Sequence, residues 1–208
     1  MNIYFDTEFT GLKKDTDLIS IGMIDEVGRT FYAEFSDFDI NKCDDWIKHN
    51  VLSHMYNYNK TPEVDAAWNL GVASTQIFGT REEIKEELIK WLSIYKSVQF
   101  VSDVCHYDFV LLIDIFGTVW DLPESINPSC HDINQDIAKY YNISEKKAFD
   151  VCREDIVSHM IPSNPLKHNA LWDARVIAKI YQFMNESNQE TSEDLLSRTE
   201  YRDAELLD

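Results

Sequence analysis

The stretch NIYFDTEF, residues 2–9, combines an apolar alternation with two acidic side chains. Ile3 and Phe5 alternate with more polar neighbours, which is the two-residue period of a β-strand. Asp6 and Glu8 stand two residues apart, so on a strand both carboxylates leave the same face. Adjacent carboxylates repel each other unless a cation lies between them. Residues 2–9 therefore predict a strand that carries metal ligands.

The segments that follow predict a mixed sheet. Residues 18–24, LISIGMI, are almost continuously apolar, as in a strand covered on both faces. A turn around Gly28 leads to the alternating residues 29–35, which predicts a hairpin. Further strands are predicted over residues 98–104 and near residues 129–133. Because helical segments alternate with these later strands, we expect an α/β fold with a mixed central sheet of about five strands flanked by helices.

Apolar spacing and capping signals predict the helices. They are expected over residues 44–55, 80–95, 107–116, 134–141 and 169–184, the second of them opened by a capping box at Thr80 and Glu83. Residues 57–79 mix Asn, Tyr, Pro, Trp and Gly without a clear period, which predicts an irregular insertion. The sequence thus predicts a single domain over residues 1–184, followed by an acidic tail over residues 185–208.

The composition is that of a globular chain. Its 208 residues are 44% hydrophobic and 27% charged, and residues 109–113 form the longest aliphatic–aromatic run, too short to cross a bilayer. The first residues lack a basic flank before an apolar run, so no signal peptide is predicted. Four widely spaced cysteines, without a C-x-x-C pair, indicate reduced thiols and a cytoplasmic location. They are Cys43, Cys105, Cys130 and Cys152.

The net charge of −18 limits the ways in which the chain could bind nucleic acid. Residues 185–208 hold eight acids against two arginines, a net charge of −6, which leaves about −12 on the rest. Phosphate contacts over a long footprint normally need a basic surface. The charge therefore predicts a small footprint, such as a few terminal nucleotides held through cations and local lysines.

Two further motifs carry the remaining candidates. Asp108 stands early in a predicted helix, where acids also occur for capping reasons. His168 and Asp173 are five residues apart, which on one helix would turn them about 140° away from each other. Pro165 places a loop before this helix, so we expect His168 to precede the helix and Asp173 to lie in its second turn. Each side chain can then approach a shared centre from its own direction.

A second pair has the same spacing. His131 and Asp136 are also five residues apart, but His131 follows Asp108 by only about two dozen residues. That leaves little chain to bring a third motif back to the sheet. The later pair is therefore the preferred one.

The three motifs resemble the DEDDh branch of 3′–5′ exonucleases, which have a ribonuclease-H-like fold. The resemblance rests on Asp6-x-Glu8, on Asp108 and on the pattern His168-x-x-x-x-Asp173. The sister branch has a tyrosine four residues before its last aspartate, where this chain has an asparagine at position 169. A closer likeness is to the RNase AS-like exoribonucleases, which trim polyadenylate. It rests on YFDTEF (4–9), LISIG (18–22), WIKHNVL (46–52) and HNALWDAR (168–175).

The resemblance implies a two-metal mechanism. Asp6, Glu8 and Asp173 would hold one Mg²⁺ or Mn²⁺, and Asp6 would bridge to a second ion that Asp108 supports. Hard oxygen ligands suit these ions better than zinc. His168 would deprotonate the attacking water.

The implied substrate is the 3′ end of single-stranded or short RNA, and the likeness to the polyadenylate-trimming group implies an A-rich end. Backbone groups around Thr7 would meet the terminal hydroxyls, Phe9 or Leu12 could stack on the last base, and Tyr107 is a further candidate contact. Basic residues near the motifs could touch phosphate, namely Lys13, Lys14, Lys167 and Arg175. The family likeness also suggests a homodimer.

Three alternatives stay open. A single-stranded DNA 3′–5′ exonuclease would use the same motifs, because the metals act on the phosphate that DNA and RNA share. An HD-type metal phosphohydrolase rests only on His131 and Asp132, and that all-helical group conflicts with the strand-rich first third of the chain. A catalytically silent nucleic-acid-binding module is disfavoured because all five site residues are present.

Overall fold

The computed structural model describes residues 1–57, 72–161 and 166–186, with the side chains of residues 72–74 excluded. Within these ranges six strands form one sheet. They are β1 (Asn2–Phe9), β2 (Leu18–Asp25), β3 (Arg29–Phe35), β4 (Val72–Gly79), β5 (Val98–Ser102) and β6 (Ile126–Asp132).

The sheet is mixed, as predicted, and runs in the order β4-β3-β2-β1-β5-β6. β2 is antiparallel to both β1 and β3, whereas the pairs β3–β4, β1–β5 and β5–β6 are parallel. β1 is therefore a central strand, with Asp6 opposite Gly22 and Glu8 opposite Ser20 on β2. The candidate carboxylates of β1 thus stand in the middle of the sheet.

The prediction of an irregular insertion over residues 57–79 is wrong for its last part. Residues 72–79 form β4, which pairs with β3 at the edge of the sheet. Its sequence lacks a clean apolar alternation because the apolar Phe78, 56% exposed, shares the open face with Gln76, whereas the inner face carries the polar Thr75 beside a partly buried Ile77. Residues 58–71 lie outside the described residues.

The described α-helices are α1 (Asp45–Asn50), α2 (Arg81–Leu92), α3 (Cys105–Phe116), α4 (Ile133–Tyr141), α5 (Glu145–Asp150), α6 (Arg153–Ile156) and α7 (Ala170–Glu186). Five of them correspond to predicted helices, whereas α5 and α6 were not predicted. The capping box at Thr80 and Glu83 is present. The helix predicted over residues 44–55 is shorter, because a separate 3₁₀ turn covers Leu52–His54.

The last helix begins and ends near its predicted limits. Asn169 caps α7, its side-chain oxygen accepting from the Trp172 amide at 3.2 Å, so His168 precedes the helix as expected. The helix continues to Glu186, two residues into the stretch predicted as a tail. Residues 187–208 lie outside the described residues. Among the helices that are described, none has both the length and the apolar character needed to cross a membrane.

The core is split between the two faces of the sheet. One face packs against α2 and α3 through Phe5, Phe31 and Phe100. The other packs against α4 and α7 through Tyr4 and Val101. Since β1 contributes to both clusters, its position is fixed from both sides, which is what a strand carrying a candidate site needs.

Gly22 brings β2 and α7 into direct contact. A Cβ added there would lie 2.2 Å from the Leu171 amide nitrogen and 2.3 Å from the Ala170 carbonyl carbon. Both neighbours are backbone atoms, which cannot rotate away as a side chain could. Only glycine therefore allows the start of α7 to pack so closely on the sheet.

We expect Gly22→Ala to lower the free energy of unfolding by about 3 kcal/mol, as overpacking of a tight core does. For a domain of this size that corresponds to a loss of roughly 6–12 °C in unfolding temperature, measured by circular dichroism. Gly28→Ala is the matched control. An added Cβ at Gly28 meets no atom within 4 Å, and only its φ of +91° opposes the change. A loss no larger for Gly22→Ala than for Gly28→Ala would contradict this account of the contact.

Candidate active site

The first pair of candidate residues projects from β1. Asp6 and Glu8 lie on the same face of the strand and are partly exposed. Phe5, which precedes Asp6, and Thr7, which stands between the two acids, are buried on the other face. A register irregularity between Glu8 and Phe9 ends the regular pairing with β2. Both carboxylates therefore face a cavity while the opposite face of β1 remains in the core.

Asp108 is held rigidly in the first turn of α3. The Thr7 hydroxyl donates to its Oδ1 at 2.5 Å, and the Ser102 hydroxyl donates to its Oδ2 at 2.8 Å. Asp108 is only 3% exposed. Because both of its oxygens accept hydrogen bonds from neighbouring strands, the carboxylate keeps one orientation toward β1.

His168 and Asp173 meet at the start of α7. The His168 backbone has a φ of +65°, a left-handed conformation that residues other than glycine seldom adopt. In this conformation the His168 amide donates to Asp173 Oδ2 at 3.0 Å. The imidazole packs edge-to-face against Trp46, with ring centroids 4.9 Å apart. Both the backbone and the ring of His168 are thus constrained.

Residues beside His168 anchor the loop that carries it. The side-chain amide of Asn169 donates through Nδ2 to the His54 carbonyl at 3.0 Å and to the Tyr32 hydroxyl at 3.4 Å. His54 Nδ1 donates to the Lys167 carbonyl at 2.6 Å, an assignment that follows because a carbonyl can only accept. Asn169, in the place of the sister branch's tyrosine, therefore serves as a cap and an anchor.

The candidate residues converge on one cavity of about 420 Å³. Ligand atoms of Glu8, His168 and Asp173 lie within 4.8 Å of one another, and so do those of Asp6, Asp108 and a further acid, Asp103. We refer to these as the Glu8 cluster and the Asp6 cluster. All five residues predicted from the three motifs line this cavity. The donor set, which is rich in carboxylate oxygens, fits hard divalent cations such as Mg²⁺ or Mn²⁺.

The alternative pair lies elsewhere. His131 Nε2 and Asp136 Oδ2 contact each other, and they line a separate groove with Tyr181 and Met184. That groove lies beside the C-terminal half of α7, whereas the Glu8 cluster lies at its N-terminus. The two pairs therefore share a spacing in sequence but not a place in the fold.

The four predicted substrate contacts all line the cavity of the two clusters: Thr7, Phe9, Leu12 and Tyr107. Phe9 and Tyr107 stack on each other with centroids 6.0 Å apart. Leu12 is 73% exposed. Phe149, an aromatic residue that also lines this cavity, is 52% exposed and was not predicted as a substrate contact. The Thr7 hydroxyl is committed to Asp108, and the Thr7 backbone also hydrogen-bonds to this carboxylate.

The basic candidates separate into two groups. Lys167 lines the cavity, where its Nζ lies 3.9 Å from Glu154 Oε2. Arg175 lines a different groove, beside Tyr4 and Tyr181, and does not line the cavity of the two clusters. The predicted phosphate contact is therefore consistent with the position of Lys167 and not with that of Arg175.

Comparison with known proteins places this geometry in a family. The family model for the Rv2179c-like domain, described as a 3′-5′ exoribonuclease domain, matches residues 1–185. The chain belongs to this family. The 3′-5′ exoribonuclease Rv2179c of Mycobacterium tuberculosis is 27% identical over 137 residues, which cover 65% of this chain and 73% of the relative.

Solved structures agree with the predicted ribonuclease-H-like fold. The nuclease domain of 3′hExo, a DEDDh family member bound to rAMP, has a TM-score of 0.59 at 15% identity and covers 91% of this chain and 93% of its own. A 3′-exonuclease in a structure of 3′-end-specific recognition of a histone mRNA stem-loop has a TM-score of 0.53 at 12% identity. It covers 89% of this chain, which spans 64% of it.

In this Rv2179c-like domain the carboxylates repel one another. Burial, and then neighbouring carboxylates, raise the pKa of Asp6, Glu8 and Asp173 well above their usual values. Burial also raises the pKa of Asp108 to about 7, against the lowering effect of its hydrogen bond from Thr7. A site in which four acids resist ionisation is one that divalent cations would relieve.

His168 has the opposite shift. Burial, followed by the nearby charge of Lys167, lowers the pKa of its imidazole below the usual value. The neutral form, which can accept a proton, is therefore favoured at neutral pH.

Two acids of this site were missed by the sequence analysis. Asp103 directly follows β5, and Glu154 lies in α6, both lining the cavity. The carboxyl ends of parallel strands are where sites of α/β proteins gather, so the position of Asp103 near the end of the strand predicted over residues 98–104 was an available signal. Glu154 comes from a stretch without a recognised motif, and no comparable signal marks it.

The metal-free domain should lose stability as pH rises. The pKa of Asp108 in the folded state lies at about 7, above its ordinary value of 3.8, so the folded protein binds more protons than the unfolded one between these values. The contribution is therefore fully present below about pH 4 and is lost as pH approaches 7. We expect the unfolding temperature in EDTA to fall from pH 5 to pH 8.

Addition of Mn²⁺ should reverse this trend, since the cation binds only the ionised carboxylates. The measurement is thermal unfolding at both pH values with EDTA or with Mn²⁺. Asp108→Asn serves as the control that makes the EDTA profile shallower, since the raised pKa values of Asp6, Glu8 and Asp173 remain. An unfolding temperature in EDTA that rises between pH 5 and pH 8 would contradict this prediction.

Proposed function

We propose that this chain is a metal-dependent 3′–5′ exoribonuclease that removes nucleotides stepwise from the 3′ end of single-stranded or short RNA. The observation that supports it most is the convergence of four carboxylates and a neutral imidazole from three distant parts of the chain on one cavity. Membership of the Rv2179c-like family supports the same activity.

The two clusters suggest how cations would be held. Glu8 and Asp173 would hold one ion, and Asp108 would support a second. Asp6 belongs to the same cluster as Asp108 and stands two residues from Glu8 on β1, so it would serve both ions. When bound, such a pair of ions polarises the scissile phosphate and stabilises the attacking and leaving oxygens. The rigid hydrogen bonds from Thr7 and Ser102 keep Asp108 in position for this task.

His168 is the proposed general base. Its pKa is lowered, its ring is fixed against Trp46, and its backbone is tied to Asp173, so a neutral imidazole is held at the edge of the Glu8 cluster. A base of this kind accepts a proton from water without first having to lose one itself. The leaving 3′ oxygen of the shortened RNA recovers a proton from solvent.

The terminal nucleotide would enter between apolar side chains. Leu12 and Phe149 expose large apolar surfaces to the cavity, and Phe9 and Tyr107 extend this lining beside Asp108. Bases stack on such surfaces with little regard to sequence, but a purine offers more area than a pyrimidine. We therefore extend the proposal to a preference for purine-rich ends, and the RNase AS-like resemblance narrows it to A-rich ones. Lys167 would contact a backbone phosphate of the RNA. The homodimer and the cytoplasmic location stay predictions.

The test is a timed digestion of 5′-labelled single strands of RNA and DNA, with Mg²⁺, with Mn²⁺ or with EDTA. We expect a ladder of products shortened from the 3′ end of RNA, faster on oligo(A) than on oligo(U), and absent in EDTA. Asp173→Asn should remove the activity, while Asp136→Asn, a surface carboxylate outside the cavity, should retain it. Faster digestion of DNA would establish the alternative substrate. Internal cuts, or cleavage that persists in EDTA, would refute the proposal.

A further inference from the structure

Asp103 adds a carboxylate to the Asp6 cluster that the three motifs do not contain. It follows the last residue of β5 and faces the cavity, with one ligand oxygen within 4.8 Å of those of Asp6 and Asp108. Its negative charge contributes to the raised pKa of Asp6 and Glu8 on β1. The same charge acts on the pKa of Asp108 and of Asp173. Asp103 is thus electrostatically part of the whole site.

A dedicated network fixes Asp103 in this place. Arg153 Nε donates to Asp103 Oδ2 at 2.9 Å, and the pair is largely buried, with 13% and 16% of the two side chains exposed. Asn134 donates to the Asp103 carbonyl and accepts from the Arg153 guanidinium. Arg153 is itself held by the carbonyls of Ala148 and Val151, at 2.9 and 2.6 Å. Backbone and carboxylate of Asp103 are therefore both constrained.

An ion pair that served only to anchor α6 would not need its carboxylate in an acidic cluster. Placing a further negative charge beside Asp6 and Asp108 costs free energy, and the single charge of Arg153 cannot offset the whole cluster. Asp108 meanwhile uses part of its acceptor capacity for Thr7 and Ser102. The Asp6 cluster therefore gains a ligand with free acceptor sites when Asp103 is included.

We propose that Asp103 is a further ligand of the cation held by Asp6 and Asp108, and that Arg153 and Asn134 are its positioning residues. This inference rests on the proposed function, because it assumes the two-cation site. It implies that the second cation binds before RNA arrives, since the protein itself supplies three carboxylates to it.

The experiment is a titration of the RNA-free protein with Mn²⁺, in which free Mn²⁺ is followed by electron paramagnetic resonance. We expect two sites in the unmodified protein. Asp103→Asn should weaken one of them by roughly 10–100-fold or more, the range that loss of a supporting group alone produces. Asp136→Asn, remote from the cavity, should bind as the unmodified protein does.

Arg153→Met separates the ligand role from a structural one. It removes the partner of Asp103 but leaves the carboxylate, so we expect two Mn²⁺ sites to remain, with the site at the Asp6 cluster weakened less than in Asp103→Asn. If Asp103→Asn and Arg153→Met lose the same site to the same extent, Asp103 only anchors α6 and the inference is overturned. Unchanged binding by Asp103→Asn overturns it as well. An unmodified protein that binds no Mn²⁺ would instead refute the proposed function itself.

Discussion

Replacing His168 by alanine is expected to lower the turnover of RNA 3′ ends by a factor on the order of 10²–10⁴, the usual contribution of a general base. The fold should persist, because the backbone amide that contacts Asp173 is still present in the variant. Turnover is measured as single-nucleotide release at saturating RNA and Mg²⁺, and the fold by circular dichroism. The affinity for RNA should change much less than the rate.

The pH dependence of this reaction gives an independent check. A general base works only in its neutral form, and the pKa of His168 is lowered by burial and by Lys167. The acid limb of the rate profile should therefore have its midpoint below pH 6.5, and it should disappear in His168→Ala. His131→Ala is the matched control, since His131 has an aspartate at the same spacing but lies outside the cavity. Equal turnover by the two alanine variants would contradict the role assigned to His168.

Replacing Asp6 by asparagine is expected to separate activity from stability. Asp6 lies in one cluster and next to Glu8 of the other, so its loss should weaken both cation sites and lower the rate by about 10³ or more. In EDTA at pH 8, however, the variant should unfold at a higher temperature than the unmodified protein. The reason is that burial and four neighbouring carboxylates raise the pKa of Asp6, so its ionised form is destabilising.

Both changes can be followed on one preparation, by digestion of end-labelled RNA and by thermal unfolding with and without Mn²⁺. The rise in unfolding temperature on adding Mn²⁺ should shrink in Asp6→Asn. Asp136→Asn is again the comparison, because that carboxylate contacts His131 in a separate groove, so neither the activity nor the rise in unfolding temperature with Mn²⁺ should change. A variant that keeps its activity, or one that is less stable in EDTA at pH 8, would contradict the proposed place of Asp6 between two cations.

Much of the fold could be predicted because its central elements carry clean periodic patterns. β1, β2 and β3 lie close to their predicted limits, and the capping box at Thr80 opens α2 as expected. β4 was missed because its apolar residues do not follow the two-residue period of a half-buried strand, since Phe78 lies on the open face and Thr75 on the inner one. Its exposed Phe78 and Gln76 give a sequence pattern that cannot be told from an irregular segment.

The candidate site was predictable where a motif fixes geometry on a single element. Asp6 and Glu8 share a face because a strand has a period of two, and His168 precedes α7 because no helix could bring it beside Asp173. The anchoring residues were not predictable in this way. Arg153 and Asn134 reach Asp103 from separate helices, and such long-range contacts leave no periodic trace in the sequence.

The close contact of Gly22 with the start of α7 also orders events during synthesis. The Glu8 cluster needs Asp173, and α7 can settle on β2 only after residues 170–171 have left the ribosome. Until then a growing chain has β1 and Asp108, but the imidazole of His168 and the carboxylate of Asp173 are not in place. The site proposed to act on RNA 3′ ends is thus completed only after most of the chain has been translated.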